Sequence, residues 1–203
     1  MPSHLLRALH SPAVTLLALA VSLGLNLFQA VRIYSAVSAI GDSTQSPKRA
    51  FRKDLSQGEV LPPMEVKTLK GERYTLNFAD SIRPTVVYVM SPSCMWCRAN
   101  EHALAELVRG SGGRFSFVGL SLAVPHLEEY LRDHPVPFPV YTMPSGQTFE
   151  AYKLGSTPQT IVISPDGRVL RNWIGAYGGL NRLEIARYFG VQLPELSQSS
   201  LLR

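Results

Sequence analysis

The 203-residue chain has room for one domain of ordinary size plus an extension, and its 45% hydrophobic content is enough for a real core. The net charge of +5 is confined to one end: residues 1–53 carry six basic side chains (Arg7, Arg32, Lys48, Arg49, Arg52, Lys53) against Asp42, while residues 54–203 carry fourteen of each sign. A neutral globular part offers no basic face to nucleic acid, so the excess positive charge is assigned to a membrane-proximal segment.

Residues 1–12 are a short tail. Ala13 to Val31 is an uncharged run of nineteen residues, apolar except for Thr15, Ser22, Asn26 and Gln29. At helical rise it spans about 28 Å, close to the hydrocarbon thickness of a bilayer. The expectation is an uncleaved, single-pass transmembrane helix. The competing reading is a cleaved signal peptide: its apolar region is usually shorter, roughly 7–15 residues, but Val37-Ser38-Ala39 offers a small-residue cleavage site. Charge counting is ambivalent, since Arg7 and the α-amino group balance Arg32, and Lys48, Arg49, Arg52 and Lys53 lie far along the chain. The expected placement of the C-terminal part is extracytoplasmic, on the periplasmic side of the cell membrane. Residues 32–57 read as a linker, dominated from Gly41 onward by Gly, Ser, Gln, Pro and charge.

The domain proper is expected over residues 58–191. Met64–Leu69 and Arg73–Phe78 are two extended runs around a Lys70-Gly71 turn, and Thr85–Met90 is a buried, β-branched strand after Pro84. A helical run, Arg98–Val108, follows and ends at Gly110-Ser111-Gly112-Gly113. Phe115–Leu122 is the next strand, and Pro125 is expected in the first turn of a helix over His126–His134. A strand at Phe138–Thr142, a short helix at Ser145–Lys153, strands at Gln159–Ile163 and Arg168–Ile174 around Pro165-Asp166-Gly167, and a helix at Leu180–Phe189 complete the domain. Residues 192–203 read as a frayed tail. Alternating strands and helices, then a terminal hairpin and helix, indicate an α/β sandwich with a mixed sheet.

Between the buried strand and the first helix stands Ser91-Pro92-Ser93-Cys94-Met95-Trp96-Cys97, holding the only two cysteines of the chain. On a helix, positions i and i+3 share a face, so the two sulfurs can meet and close a small disulfide ring. Cys94 would sit at the helix N-terminus, where unpaired N–H groups and the dipole favour a thiolate and lower a thiol pKa from about 8.5 into the range of roughly 3.5 to 7.5. Cys94 is therefore the expected attacking thiol and Cys97, one turn on, the resolving thiol. A purely structural disulfide closing so short a loop gains little stability. A zinc site has only His102 as a nearby further ligand and wants four. Two inert thiols remain the third alternative. His102 and His126 read as ordinary helix residues.

The ordered combination of strand, C-x-x-C, helix, strand, helix and then Ser156-Thr157-Pro158 before a hairpin and a last helix resembles the thioredoxin fold. With Gly58-Glu59-Val60-Leu61-Pro62-Pro63 at its start and Gly155 to Ile163 followed by Asp166-Gly167, it resembles more closely the membrane-anchored thiol–disulfide oxidoreductases of the TlpA/ResA type, the redoxins. The resemblance covers roughly residues 58–190. It implies a thioredoxin-like three-layer sandwich around a central mixed sheet, with no dissociable cofactor and no metal. It also implies a cis Pro158 facing the disulfide, and Thr157 offering its backbone to a substrate strand. The implied partners are protein thiols and disulfides and a membrane-bound thiol donor; the implied state is a monomer. The implied direction is reduction of extracytoplasmic proteins, including apocytochrome c thiols.

The chain departs from that pattern in two places. Asn100 stands where the family often has a glutamate, and Tyr88 where thioredoxin has an aspartate. Glu101, four residues after Cys97, either replaces the missing acid or is a solvated helix residue. Met95-Trp96 lies between the cysteines with no proline before the second, and forms either an apolar rim for partners or packing beside the motif. A peroxiredoxin-like peroxidase is the enzymatic alternative: Ser91 fits its pattern, but Val87 occupies the position of its proline. A redox-silent or metal-carrying binding module is the other.

Overall fold

The computed structural model describes residue 16, residues 19–32 and residues 54–196. The chain divides into two units, residues 1–52 and 53–203, which are treated separately. In the first, residues 19–32 are helical, and Leu19, Leu23, Leu27 and Phe28 are all exposed. Among the described residues no helix is long and apolar enough to cross a membrane. Part of the expected anchor, all of residues 33–53 of the expected linker, the Val37-Ser38-Ala39 site and residues 197–203 lie outside the described residues.

The second unit is built on one seven-stranded sheet of order β2-β1-β5-β4-β3-β6-β7. Its strands are β1 (Met64–Lys67), β2 (Arg73–Leu76), β3 (Thr85–Met90), β4 (Ser116–Ser121), β5 (Val140–Thr142), β6 (Gln159–Ile163) and β7 (Val169–Ile174). β3 pairs in parallel with β4, and β4 with β5, whereas β1–β2, β1–β5, β3–β6 and β6–β7 are antiparallel, so the sheet is mixed. All six residues of β3 are buried, because strands pair on both its edges and side chains pack on both its faces.

Strand alternation divides the core into two. Val86, Tyr88 and Met90 face one cluster, with Leu104, Leu107, Leu127, Ile185 and Phe189. Val87 and Val89 face the other, with Phe78, Tyr152, Leu154 and Leu61. The helices supplying the first cluster are α1 (Met95–Ala99), α2 (Glu101–Gly110), α3 (Leu127–Asp133) and α5 (Gly179–Phe189); the other face carries α4 (Gly146–Ala151) and a 3₁₀ turn, Phe78–Asp80. The outcome is the expected thioredoxin-like α/β sandwich with a central mixed sheet.

The turns follow their residues. Gly71, at φ 84°, donates to Thr68 O at 2.9 Å in the first hairpin. Gly167, at φ 79°, donates to Ser164 O at 2.9 Å in the last. Both need the left-handed region that glycine enters without steric cost.

Four expectations are corrected in detail. The helical run after the motif is two helices, broken at Asn100. Pro125 does not sit in the first turn of α3: His126 is the N-cap, at φ 61°, so the proline precedes the cap. Packing begins before residue 58, because Leu55 is buried in the second cluster and the Lys153 ammonium donates to the Asp54 carbonyl at 3.4 Å. Packing also continues past residue 191, where Leu193 is buried and its carbonyl accepts from Arg182 at 3.0 Å.

Candidate active site

The site forms where β3 runs out of the sheet. The chain turns at once, with Cys94 N–H donating to Ser91 O at 3.0 Å, and α1 starts at Met95. Cys94 is the N-cap in extended conformation, and its sulfur accepts the Cys97 N–H at 3.1 Å. A sulfur in this place takes up one of the unpaired N–H groups of a helix start, which favours its anionic form. Cys94 and Cys97 are joined as a disulfide with Cα atoms 5.3 Å apart. The two sulfurs are not equivalent: Cys94 is half-buried, whereas Cys97 is 2% exposed and belongs to the core. Met95 and Trp96, between them, are both 43% exposed.

The second wall comes from β6. Val89 of β3 pairs with Gln159, so Pro158 lies across from Met90, beside the start of the motif loop. The Thr157–Pro158 bond is cis; Pro158 is buried and Thr157 half-buried. The Pro158 carbonyl is held by Gly175 N–H at 2.8 Å, which ties this loop to the end of β7.

Beneath the disulfide, Asn100 shows why the helix breaks. It is fully buried; its Oδ1 accepts the Tyr177 N–H at 2.7 Å, and its Nδ2 donates to the Tyr88 hydroxyl at 3.4 Å. The Tyr177 hydroxyl meets Thr160 Oγ1 at 2.7 Å, and the Tyr88 and Tyr177 rings pack edge to face at 6.3 Å. The Asn100 amide thus ties β3, the α1–α2 joint and the segment before α5 together, and the Tyr177 hydroxyl extends the link to β6. Burial, reinforced by Tyr177, holds the Tyr88 hydroxyl well above the ordinary tyrosine range, and burial does the same to Tyr177.

A cavity of about 620 Å³ opens beside the motif, with Cys97, Arg98, Glu101, Tyr88, Tyr130 and His134 in its wall. Glu101 is among the lining residues: its Oε2 lies 2.8 Å from His134 Nδ1, and the two side chains are 43% and 30% exposed. The His134 ring packs on Tyr130 at 4.9 Å. Burial first, then the Glu101 carboxylate, push the Tyr130 hydroxyl up to about 12, with Arg98 opposing. Arg98 Nε is buried with no hydrogen-bond partner among the described residues. His102 and His126 pair locally with Glu106 and Glu129, at 3.8 and 3.4 Å. Among the described residues no three His, Cys, Asp or Glu side chains converge as a metal ligand set.

Cys94, Cys97, Met95 and Trp96, expected at a strand–helix junction, follow the end of β3, and Thr157 and Pro158, expected from the family resemblance, precede β6 across from it. Sequence reasoning missed His134, which reaches Glu101 across 33 positions of sequence, and it treated Asn100 only as a missing acid. The one local signal for His134 is its place at a helix end before Pro135, a common stop.

Residues 57–171 match the AhpC/TSA family. A thioredoxin-like protein of Haemophilus influenzae is 26% identical over 135 residues, 65% of this chain and 80% of its own length. Among solved structures, a Chlorobium tepidum protein provisionally named thiol:disulfide interchange protein DsbE superposes with a TM-score of 0.55 at 19% identity, over 67% of this chain and 96% of its own. The thioredoxin domain of a thiol-disulfide oxidoreductase from Bacteroides vulgatus does so with a TM-score of 0.55 at 18% identity, over 67% and 99%. At these identities the likeness is one of fold.

Proposed function

As a member of the AhpC/TSA family and a thiol–disulfide oxidoreductase with a C-x-x-C pair, this chain, we propose, exchanges that pair with protein partners outside the cytoplasm, chiefly as a reductant. The observation that carries the reading is the inequality of the two sulfurs: Cys94 is reachable and capped by backbone N–H, and Cys97 is sealed in the core behind it. In the reduced protein the Cys94 thiolate attacks a partner disulfide, forms a mixed disulfide and releases one partner thiolate. Cys97, as thiolate, then attacks the Cys94 sulfur. The Cys94–partner bond breaks, the partner leaves with the electron pair, and the intramolecular disulfide closes. A membrane-bound dithiol would return the pair to its reduced form.

Exposed Trp96 and Met95 supply an apolar rim for the partner, and Thr157, beside Pro158, supplies backbone for its extended segment. Peroxide reduction is a weaker reading, since Val87 is a fully buried strand residue where that chemistry wants a proline. The apolar, exposed helix at residues 19–32 supports a membrane tether, and the resemblance to TlpA/ResA-type oxidoreductases suggests cytochrome c maturation as one setting. The test is trapping. With Cys97→Ser, the chain should accumulate mixed disulfides with secreted thiol proteins, visible on non-reducing gels and lost on reduction. Absence of any adduct would sink the reading.

A further inference from the structure

Resolution of the mixed disulfide needs Cys97 as a thiolate, and nothing in its own position supplies one. Cys97 is 2% exposed among core residues, and apolar burial raises a thiol pKa. The helix-start N–H is spent on Cys94. Asn100, beneath the motif, is an amide and takes no proton at neutral pH. The acceptor must therefore come from the cavity that Cys97 helps to line.

Six polar or charged side chains face that cavity: Tyr88 from β3, Arg98 from α1, Glu101 and His102 from α2, and Tyr130 and His134 from α3 and its end. Arg98 is a cation throughout. Tyr88 and Tyr130 keep their protons far above neutral pH and give no base. His102 extends toward solvent and Glu106, with 77% of its side chain exposed. Glu101 and His134 remain, and they are bonded to each other at 2.8 Å. With the Glu101 carboxylate oxygen as acceptor, His134 Nδ1 is the donor of this contact. In the tautomer that this contact sets, Nε2 is the acceptor nitrogen, and the Tyr130 ring packs tilted against the imidazole at 4.9 Å.

We propose that His134, oriented by Glu101, takes the Cys97 proton through water in this cavity as Cys97 resolves the mixed disulfide. The proposal rests on the thiol–disulfide reading. The S–H bond of Cys97 breaks, its proton passes to Nε2, and its electron pair forms the new bond to Cys94. The displaced partner thiolate carries away the pair of the old bond. His134 becomes an imidazolium, neutralised by Glu101, and returns its proton when the disulfide is reduced again. Glu101 is a positioning residue here; His134 is the proton acceptor.

The two thiol steps separate when the reduced full-length protein, in detergent, is mixed with 5,5′-dithiobis(2-nitrobenzoate). Attack by Cys94 releases one thionitrobenzoate, and closure by Cys97 releases the second. His134→Gln is expected to leave the first phase unchanged and slow the second about tenfold or more at pH 7. The pH midpoint of the second phase should rise toward the ordinary thiol value of about 8.5. Glu101→Gln should move the same phase in the same direction. If both variants keep the wild-type second phase and midpoint, or if both phases slow equally at every pH, the proposal is overturned while the exchange reading stands. If the wild-type protein shows neither phase, the exchange reading falls and this proposal with it.

Discussion

The chemistry turns on the unequal setting of two sulfurs three residues apart. Because Cys94 is half-buried and capped while Cys97 is 2% exposed, iodoacetamide at neutral pH should alkylate Cys94 first in the reduced protein. Peptide mass mapping after brief labelling checks this; preferential labelling of Cys97 would reverse the two roles. Asn100 belongs to the same scale. Asn100→Ala would leave the buried Tyr177 N–H without its acceptor and the Tyr88 hydroxyl without its donor. A buried polar group so orphaned costs about 1–3 kcal/mol, so the variant should lose roughly 2–4 kcal/mol in urea unfolding of the oxidised protein. Unchanged stability would show that water replaces the amide. Of this site, the sequence displays what is local: a C-x-x-C at a strand–helix junction and a Thr-Pro before a strand. Asn100 and His134 are not legible there, because each acquires its role from a partner far away in the chain, Tyr177 and Glu101.

At the scale of elements, strands and turns were readable because apolar β-branched runs and glycine turns leave local marks, as in β3 and at Gly71 and Gly167. Strand order was not readable from spacing, since the placement of β3 between β4 and β6 depends on long-range pairing. The break between α1 and α2 was hidden because Ala99-Asn100-Glu101 carries no proline or glycine, and burial of the Asn100 amide decides it. Two element-level predictions follow from these contacts. Gly167 sits at φ 79°, and a Cβ there would meet the Leu61 carbonyl at 3.0 Å. Gly167→Ala should therefore cost about 1–2 kcal/mol or somewhat more by chemical denaturation. The second concerns alkali. Tyr88 and Tyr177 stay protonated in the fold well above the pKa of about 10 that they have when unfolded. The unfolded state thus binds fewer protons above pH 10. The stability is fully present below that pH and falls as pH rises past it, by roughly 1.4 kcal/mol per unit for each tyrosine. Urea midpoints between pH 8 and 11 measure the slope, and Tyr177→Phe should make it shallower.

For the whole molecule, the open matter is which compartment holds the redox domain. All the net charge lies in residues 1–53, and the domain that follows is neutral, so its surface charge gives no preference for either side of a membrane. Helical residues 19–32 expose Leu19, Leu23, Leu27 and Phe28, an apolar face whose burial in lipid would be favourable. The charged side chains nearest to the apolar run balance: Arg7 stands before it and Arg32 after it. Lys48, Arg49, Arg52 and Lys53 begin 17 residues past Val31, at the edge of the range over which flanking charge sets orientation. With sequence charge so evenly poised, the chemistry of the site decides the expectation. A thiol pair that exchanges with protein disulfides has substrates where disulfides persist, outside the reducing cytoplasm. The linker would then hold Cys94 within reach of a membrane-bound dithiol. Alkaline phosphatase fused after Arg203 should therefore be active in cells, and a cytoplasmic reporter at the same junction inactive. The reverse pattern would place the domain in the cytoplasm and remove extracytoplasmic partners from the proposal, while leaving the thiol chemistry of Cys94 and Cys97 as it stands.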